Sequence, residues 1–289
     1  MFRADDNDTA ARRALLMQAR ERLRDKGRRG LKRVPPKPRR PEGIIRDYRA
    51  ALRKLAAEIE ASVKAEVYPA LEGLLEEAGT RNDAWGDRLG DLFLATRSRV
   101  QRSVESVQVQ MQSLADKVDE QATDQVKRQL RAVLGVAPNF FDQEKIGGLL
   151  NAWKEHNRAF ITKFTNDQLA EAQDIVSRAV RSGRATKDIR KELLNKFKVS
   201  AHRAARIART EVSQLSAQIA RGRQKDLGIA QYTWRTSRDS RVREEHTERN
   251  GKKYSWDNPP DGGHPGEPIN CRCEAQADTE SLLKELEAA

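Results

Sequence analysis

Residues 100–118, VQRSVESVQVQMQSLADKV, decide the class of fold. Val100, Val104, Val107, Met111, Leu114 and Val118 recur at alternating steps of four and three, which draws one apolar seam along a helix and leaves Gln, Lys, Asp and Glu on the other faces. Val126, Leu130 and Val133 extend the pattern until Gly135 and Pro138 close it. Upstream, Tyr48, Leu52, Leu55, Ile59, Val63 and Val67 form a second stripe over 44–67. Pro69 breaks or kinks that helix before Leu71, Leu74 and Leu75 resume it. Gly79 to Gly90, with Asn82 and Asp83, predict the bend between the two stripes. Residues 44–135 therefore read as a long helical hairpin; the same seam also suits a coiled coil with a second copy, a homo-oligomer.

Shorter helices are expected next. Asn166 predicts a cap for a helix through Ala179 that stops at Gly183; Thr186 predicts a second cap, with Ile189, Leu193, Leu194 and Phe197 facing inward. Ser200 predicts a third cap, for a helix running to Gly228. The texture then changes. QYTWRTS (231–237) alternates like a strand, and KKYSW (252–256) suggests another. Residues 257–270 hold four Pro and three Gly, so backbone pairing cannot pin them. The acidic C-terminal stretch, EAQADTESLLKELEAA, reads as a short capping helix. The expected protein is mainly α: a disordered basic arm (1–43), the hairpin (44–135), and a compact helical domain (136–289) with a small α+β, loop-rich cap at 231–277.

Composition agrees with exposed helices. Charged residues are 34%, the hydrophobic set 37% and aromatics 5%, against averages of ~25% charged and ~45–50% apolar. No apolar run reaches the ~20 residues of a membrane span, and the N-terminus lacks a secretory signal pattern. The two cysteines, one residue apart, exclude a disulfide scaffold. The net charge of +12 is uneven: Arg12 to Arg40 holds thirteen Lys/Arg against Glu21 and Asp25, interrupted near its end by Pro35, Pro36 and Pro38. Arg28, Arg29, Lys32, Arg33, Lys37, Arg39 and Arg40 are the candidate phosphate contacts of this arm, through sequence-blind counterion release. The other reading is a solvated tail, since interleaved aromatics and a base-reading motif are absent. A second surplus, thirteen Lys/Arg against six Asp/Glu, spans 201–253.

Chemistry concentrates at the C-terminal end. His246, His264, Cys271 and Cys273 form a His₂Cys₂ set suited to tetrahedral zinc, and a coreless loop often needs such a staple. Their spacing, H-x17-H-x6-C-x-C, departs from common finger spacings, so surface histidines and small buried cysteines remain the bland alternative. His246, Asn258 and His264 also fall in the order of an HNH nuclease, but such a site carries its last histidine on a helix, and His264 lies between Gly263 and Pro265. Phosphate-binding glycine loops, Gly-x-Ser-x-Gly and His-Glu-x-x-His are absent.

Read in order, Arg209-Thr210-Glu211, Trp234-Arg235-Thr236-Ser237, Asp239, Arg241-Val242-Arg243, His246, Gly251-Lys252, Pro259-Pro260, Gly263-His264-Pro265 and Asn270-Cys271-Arg272-Cys273 resemble the signature of phage Mu protein F-like minor head proteins, the phage head morphogenesis family, over about residues 140–277. The resemblance implies a non-enzymatic virion protein near the portal vertex. Such a protein is present in few copies, meets portal, capsid proteins and packaged DNA, and passes through the host cytoplasm during assembly. It assists head building and genome packaging or ejection. Several members carry C-x₂-C where this chain has Arg243-x-x-His246, which supports a ligand role for His246. Some relatives bear C-terminal toxin domains, for which this chain has no room. Arg209 and Glu211 are expected to form a helix-borne ion pair that anchors the loop, against Arg235 or Asp239. The competing functions are a metal-dependent nuclease and a DNA-binding accessory protein.

Overall fold

The seam of residues 100–118 lies within a single 51-residue helix. The computed structural model describes residues 10–80, 84–138, 141 and 143–287. In chain order the elements are α1 (Ala10–Lys26), α2 (Glu42–Glu66), a 3₁₀ turn (Tyr68–Ala70), α3 (Leu71–Gly79), α4 (Ala84–Leu134), α5 (Gln143–Arg181), α6 (Thr186–Asp226), β1 (Gln231–Arg235), α7 (Glu244–Glu248), β2 (Lys253–Ser255), β3 (Glu274–Ala277) and α8 (Glu280–Glu287). The fold is mainly α. Among the described residues no helix is long and apolar enough to cross a membrane.

Two compact units emerge, and their limits differ from a cut at 43 and 135: one comprises 46–114 with 154–208, the other 1–45, 115–153 and 209–289. Local periodicity cannot reveal such a division, because α4, α5 and α6 each contribute residues to both.

In the first unit, Tyr48, Leu52, Leu55, Ile59, Val63, Val67, Leu71 and Leu74 are all fully buried, as the stripe predicts. Val100, Val104, Val107, Met111 and Leu114 of α4 are buried as well, so the seam is covered within the chain itself. Pro69 sits in the 3₁₀ turn between α2 and α3, where its missing amide is tolerated. The expected bend is shorter than Gly79–Gly90: α4 begins at Ala84 and contains Gly86 and Gly90, while Asn82 and Asp83 lie outside the described residues. Asn166 and Ser200, expected as caps, stand inside α5 and α6. Ser200 Oγ donates to the Lys196 carbonyl, 3.2 Å away, and to Gln168 Oε1. A hydroxyl satisfied by its own i−4 carbonyl no longer ends a helix. The glycine stops do hold: Gly183 and Gly228 end α5 and α6 at φ +63° and +65°.

The second unit corrects the expectation of a disordered arm. Within 1–43, α1 buries Leu15, Leu16 and Ala19 in a core shared with Val126, Leu130, Val133 and Leu134 of α4, with Leu227 and Ile229, and with Leu282 and Leu286 of α8. The acidic α8 answers the basic α1: Arg12 pairs with Glu285 at 2.5 Å and Arg28 with Glu287. Residues after α1 run antiparallel along α4. Gln129 and Arg128 donate to the Pro36 and Lys37 carbonyls, Gln125 binds the Arg39 backbone at both its amide and its carbonyl, and Gln121 donates to the Arg40 carbonyl. Charge density hid the three-residue apolar stripe of α1, and prolines suit an extended strap whose carbonyls accept from glutamines. The side chains of Arg29, Lys32, Arg33, Lys37 and Arg39 remain exposed.

A three-stranded antiparallel sheet, β2-β1-β3, closes this unit. Tyr232 pairs with Tyr254 and Ala277, and Trp234 with Ala275. The alternation in β1 buries Tyr232 and Trp234, which join Trp256, Cys271, Cys273 and Ala275 in a small core. β3 occupies EAQA, the first part of the stretch expected to be helical; α8 starts only at Glu280.

Candidate metal centre

One face of α6 organises the loop-rich cap. Arg209 Nη1 donates to Asn270 Oδ1 at 2.6 Å, and Thr210 Oγ1 accepts from the Asn270 amide at 2.9 Å. Gln214 Nε2 donates to the Glu267 carbonyl, Arg221 Nη2 to the Trp256 carbonyl, and Lys225 Nζ to Asp257. Gln224 accepts from Trp256 Nε1. These positions advance by the three and four residues that keep one helical face toward the loop. Pinning of 257–270 thus comes in large part from α6, in addition to any metal. The Arg209 guanidinium is pushed below its ordinary pKa by burial, then by Arg272 and Arg40.

Asn270 adopts φ +61°, a left-handed conformation that Asn tolerates better than most residues. It delivers the chain to Cys271 and Cys273. In extended backbone, residues two apart share a side, so C-x-C presents both thiols together. Between them, Arg272 pairs with Asp239 Oδ2 at 3.0 Å. Asp239 also accepts from Ser237 Oγ and the Arg241 amide. Burial would raise the Asp239 pKa; those hydrogen bonds and the Arg272 charge outweigh it and hold the carboxyl below its usual range.

From the other side comes His246, on the short α7, with its ring edge against Trp234. His246 Nδ1 lies 3.7 Å from Cys271 Sγ and 3.5 Å from Cys273 Sγ. All three residues are buried, and their donor atoms lie within 4.8 Å of one another. Tetrahedral zinc, with Zn–S of about 2.3 Å and Zn–N of about 2.0–2.1 Å, requires N···S separations of about 3.6 Å. The residues fit such an ion in donor type, burial and spacing. On its far side, His246 Nε2 faces Glu245 Oε1 at 3.6 Å, a carboxylate placed to orient the ring.

The thiols are electrostatically unequal. Cys271 is lowered to about 5, chiefly by the Cys273 thiol donating to it, and further by the Cys273 and Gly266 amides. Cys273, as the donor, is raised. The pair releases its first proton readily, as metal binding demands.

His264 does not join this set. Its Nδ1 meets Tyr232 Oη at 2.9 Å, and its ring packs between Tyr232 and Trp256. Burial pushes the His264 pKa down and the Tyr232 hydroxyl up. It is a satisfied core histidine in a bend, so the two histidines of the HNH-like order serve separate partners. The expected ion pair also resolves differently. Arg209 binds Asn270 rather than Glu211, which lies two positions along the same helix and cannot face it. Arg235 binds Gln276, Asp239 binds Arg272, and Glu211 offers its carbonyl to Trp153 Nε1. Sequence reading missed the roles of Thr210, Asn270, Glu245 and Arg272; the α6 periodicity of 210, 214, 221 and 225 was the available signal for the first.

Replacing Asn270 tests this anchoring. Asn270→Ala is expected to cost about 2–3 kcal/mol, from the lost charged hydrogen bond and the left-handed backbone, and Asn270→Gly about 1 kcal/mol less. Chemical denaturation of the three proteins checks the order.

The fold and site define a mainly α protein whose C-terminal loop closes on a Cys₂His cluster. Residues 170–276 match the family described as Phage Mu protein F like protein. That span contains the anchoring face of α6 and all three donors. An uncharacterized protein of Haemophilus influenzae is 34% identical over 145 residues, 50% of this chain and 31% of that protein. The chain therefore spans under a third of that relative's length. No solved structure matches it.

Proposed function

We propose that the chain is a minor structural protein of a phage head, positioned at the portal vertex, where it assists head assembly and genome packaging or ejection. The observation that carries this reading is the family match over 170–276, which takes in the α6-anchored loop and the three clustered donors. In this role the Cys₂His cluster binds zinc and acts as an architectural staple, holding the cap in one conformation without catalysing a reaction. His246, Cys271 and Cys273 hold the ion; Glu245 orients His246, and Asp239 fixes Arg272. The exposed cations Arg29, Lys32, Arg33, Lys37 and Arg39 face packaged DNA, to which their charge gives sequence-independent, salt-sensitive attraction. Portal and capsid subunits are the protein partners.

Mass spectrometry of purified particles tests the assignment. The protein is expected in mature heads at a copy number far below that of the major capsid protein. Particles without it, together with plasmid nicking by the isolated protein that disappears on His246→Ala, would establish the nuclease instead.

A further inference from the structure

Resting on the metal reading above, we infer that the fourth coordination position of the Cys₂His centre belongs to a small exogenous anion and not to a protein side chain. Three observations converge. The first is the donor count: among the described residues the cluster comprises His246, Cys271 and Cys273, and His264 is committed to Tyr232.

The second is space. A cavity of about 40 Å³ is lined by these same three residues, by Arg241, Arg243 and Arg272, and by the uncharged Val242 and Asn270. A buried water needs about 10–15 Å³ of such space, so the cavity admits an ion with a ligand of one to three atoms and is too small for a phosphodiester.

The third is charge. Two thiolates cancel a divalent cation, which leaves the rim to set the local potential. Three arginines, Arg241, Arg243 and Arg272, stand there against two carboxylates: Asp239, which lies 3.0 Å from Arg272 and 3.7 Å from Arg241, and Glu245, 3.6 Å from His246. Arg243 donates to the Ile269 carbonyl, an uncharged acceptor. Arg272 Nε is buried without a hydrogen-bond partner among the described residues. A cationic rim with donor capacity to spare favours an anionic ligand over a neutral one. The arrangement is a Cys₂His site of the open kind, with three protein ligands and one exchangeable position.

Cobalt-loaded full-length protein tests the inference by its visible absorption, with azide as the probe. The expected result is thiolate-to-cobalt charge transfer with ligand-field bands that shift saturably on azide addition. Arg243→Cys places a thiol on the cavity wall one helical turn before His246. It is expected to abolish the azide response and to slow metal transfer to a chelator by about tenfold or more. Cobalt bands that ignore azide overturn the exchangeable position and leave the metal site standing. Absence of thiolate-to-cobalt bands, checked by elemental analysis after zinc loading, overturns the metal site and this inference with it.

Discussion

Cys271→Ser is expected to lower the thermal midpoint of the zinc-loaded protein by roughly 8–16 °C. The magnitude comes from linkage. An ion held only by the folded chain, at free concentrations near 1,000 times its dissociation constant, stabilises by about 4 kcal/mol. In a domain of this size each kcal/mol moves the midpoint by about 2–4 °C. Chelation of the wild type should produce a loss of the same order. In chelated protein the substitution should add little, about 1 kcal/mol, because what remains is one hydroxyl replacing one thiol in a small core. The cycle of substitution and chelation is the decisive measurement: strong non-additivity assigns the stabilisation to a bound ion, and additivity assigns it to packing of the thiol. Hydrogen exchange should locate the loss in α7 and residues 264–277. Loop positions anchored to α6 should retain part of their protection, because hydrogen bonds from Arg209, Gln214 and Arg221 persist without metal.

What the sequence discloses about this protein depends on the range over which its physics acts. The helical stripes of 44–67 and 100–133 were legible because a buried face repeats locally, and Tyr48 to Val67 are buried as the repeat requires. β1 was legible for the same reason, its two aromatic residues alternating with polar ones. Cap residues misled: Asn166 and Ser200 have the right chemistry for helix starts, yet Ser200 is satisfied inside α6 by Lys196 and Gln168, the latter a neighbour that no local rule names. The N-terminal arm misled for a related reason. Its surplus of cations argues for repulsion only until the acidic α8 is brought beside it, more than 250 positions away in the chain. At the candidate site, residue types point to four side chains, of which the structure brings His246, Cys271 and Cys273 together, while the assignment of His264 rests on type alone. Whether an imidazole faces a thiol or a tyrosine hydroxyl is decided by the path of the 257–270 loop. That path is set by turn glycines and by α6, neither of which is written in the spacing of His and Cys.

The same loop path supplies the second large effect. Gly266→Ala should destabilise the cap by about 2–5 kcal/mol, combining a left-handed backbone penalty of about 1–2 kcal/mol with an overpacking cost of about 1–3 kcal/mol. Gly266 has φ +94°, which disfavours any side chain, and a Cβ there would stand 2.8 Å from the Ala217 Cβ and 3.0 Å from the Ser213 carbonyl oxygen. The second contact is with helix backbone, which cannot swing aside, so the loop itself must lift. Lifting it also withdraws the Gly266 amide from Cys271 Sγ, 3.4 Å away, so the strain reaches the donor cluster. A companion change separates the two clashes. Ala217→Gly removes one obstacle at a helix-propensity cost of about 1 kcal/mol, and in combination with Gly266→Ala it should recover only part of the loss. The Ser213 carbonyl and the positive φ remain in place. Complete rescue by Ala217→Gly would show that the loop touches α6 through side chains alone; no rescue, with cobalt bands unchanged in both variants, would show that the glycine contact and the metal cluster are mechanically independent.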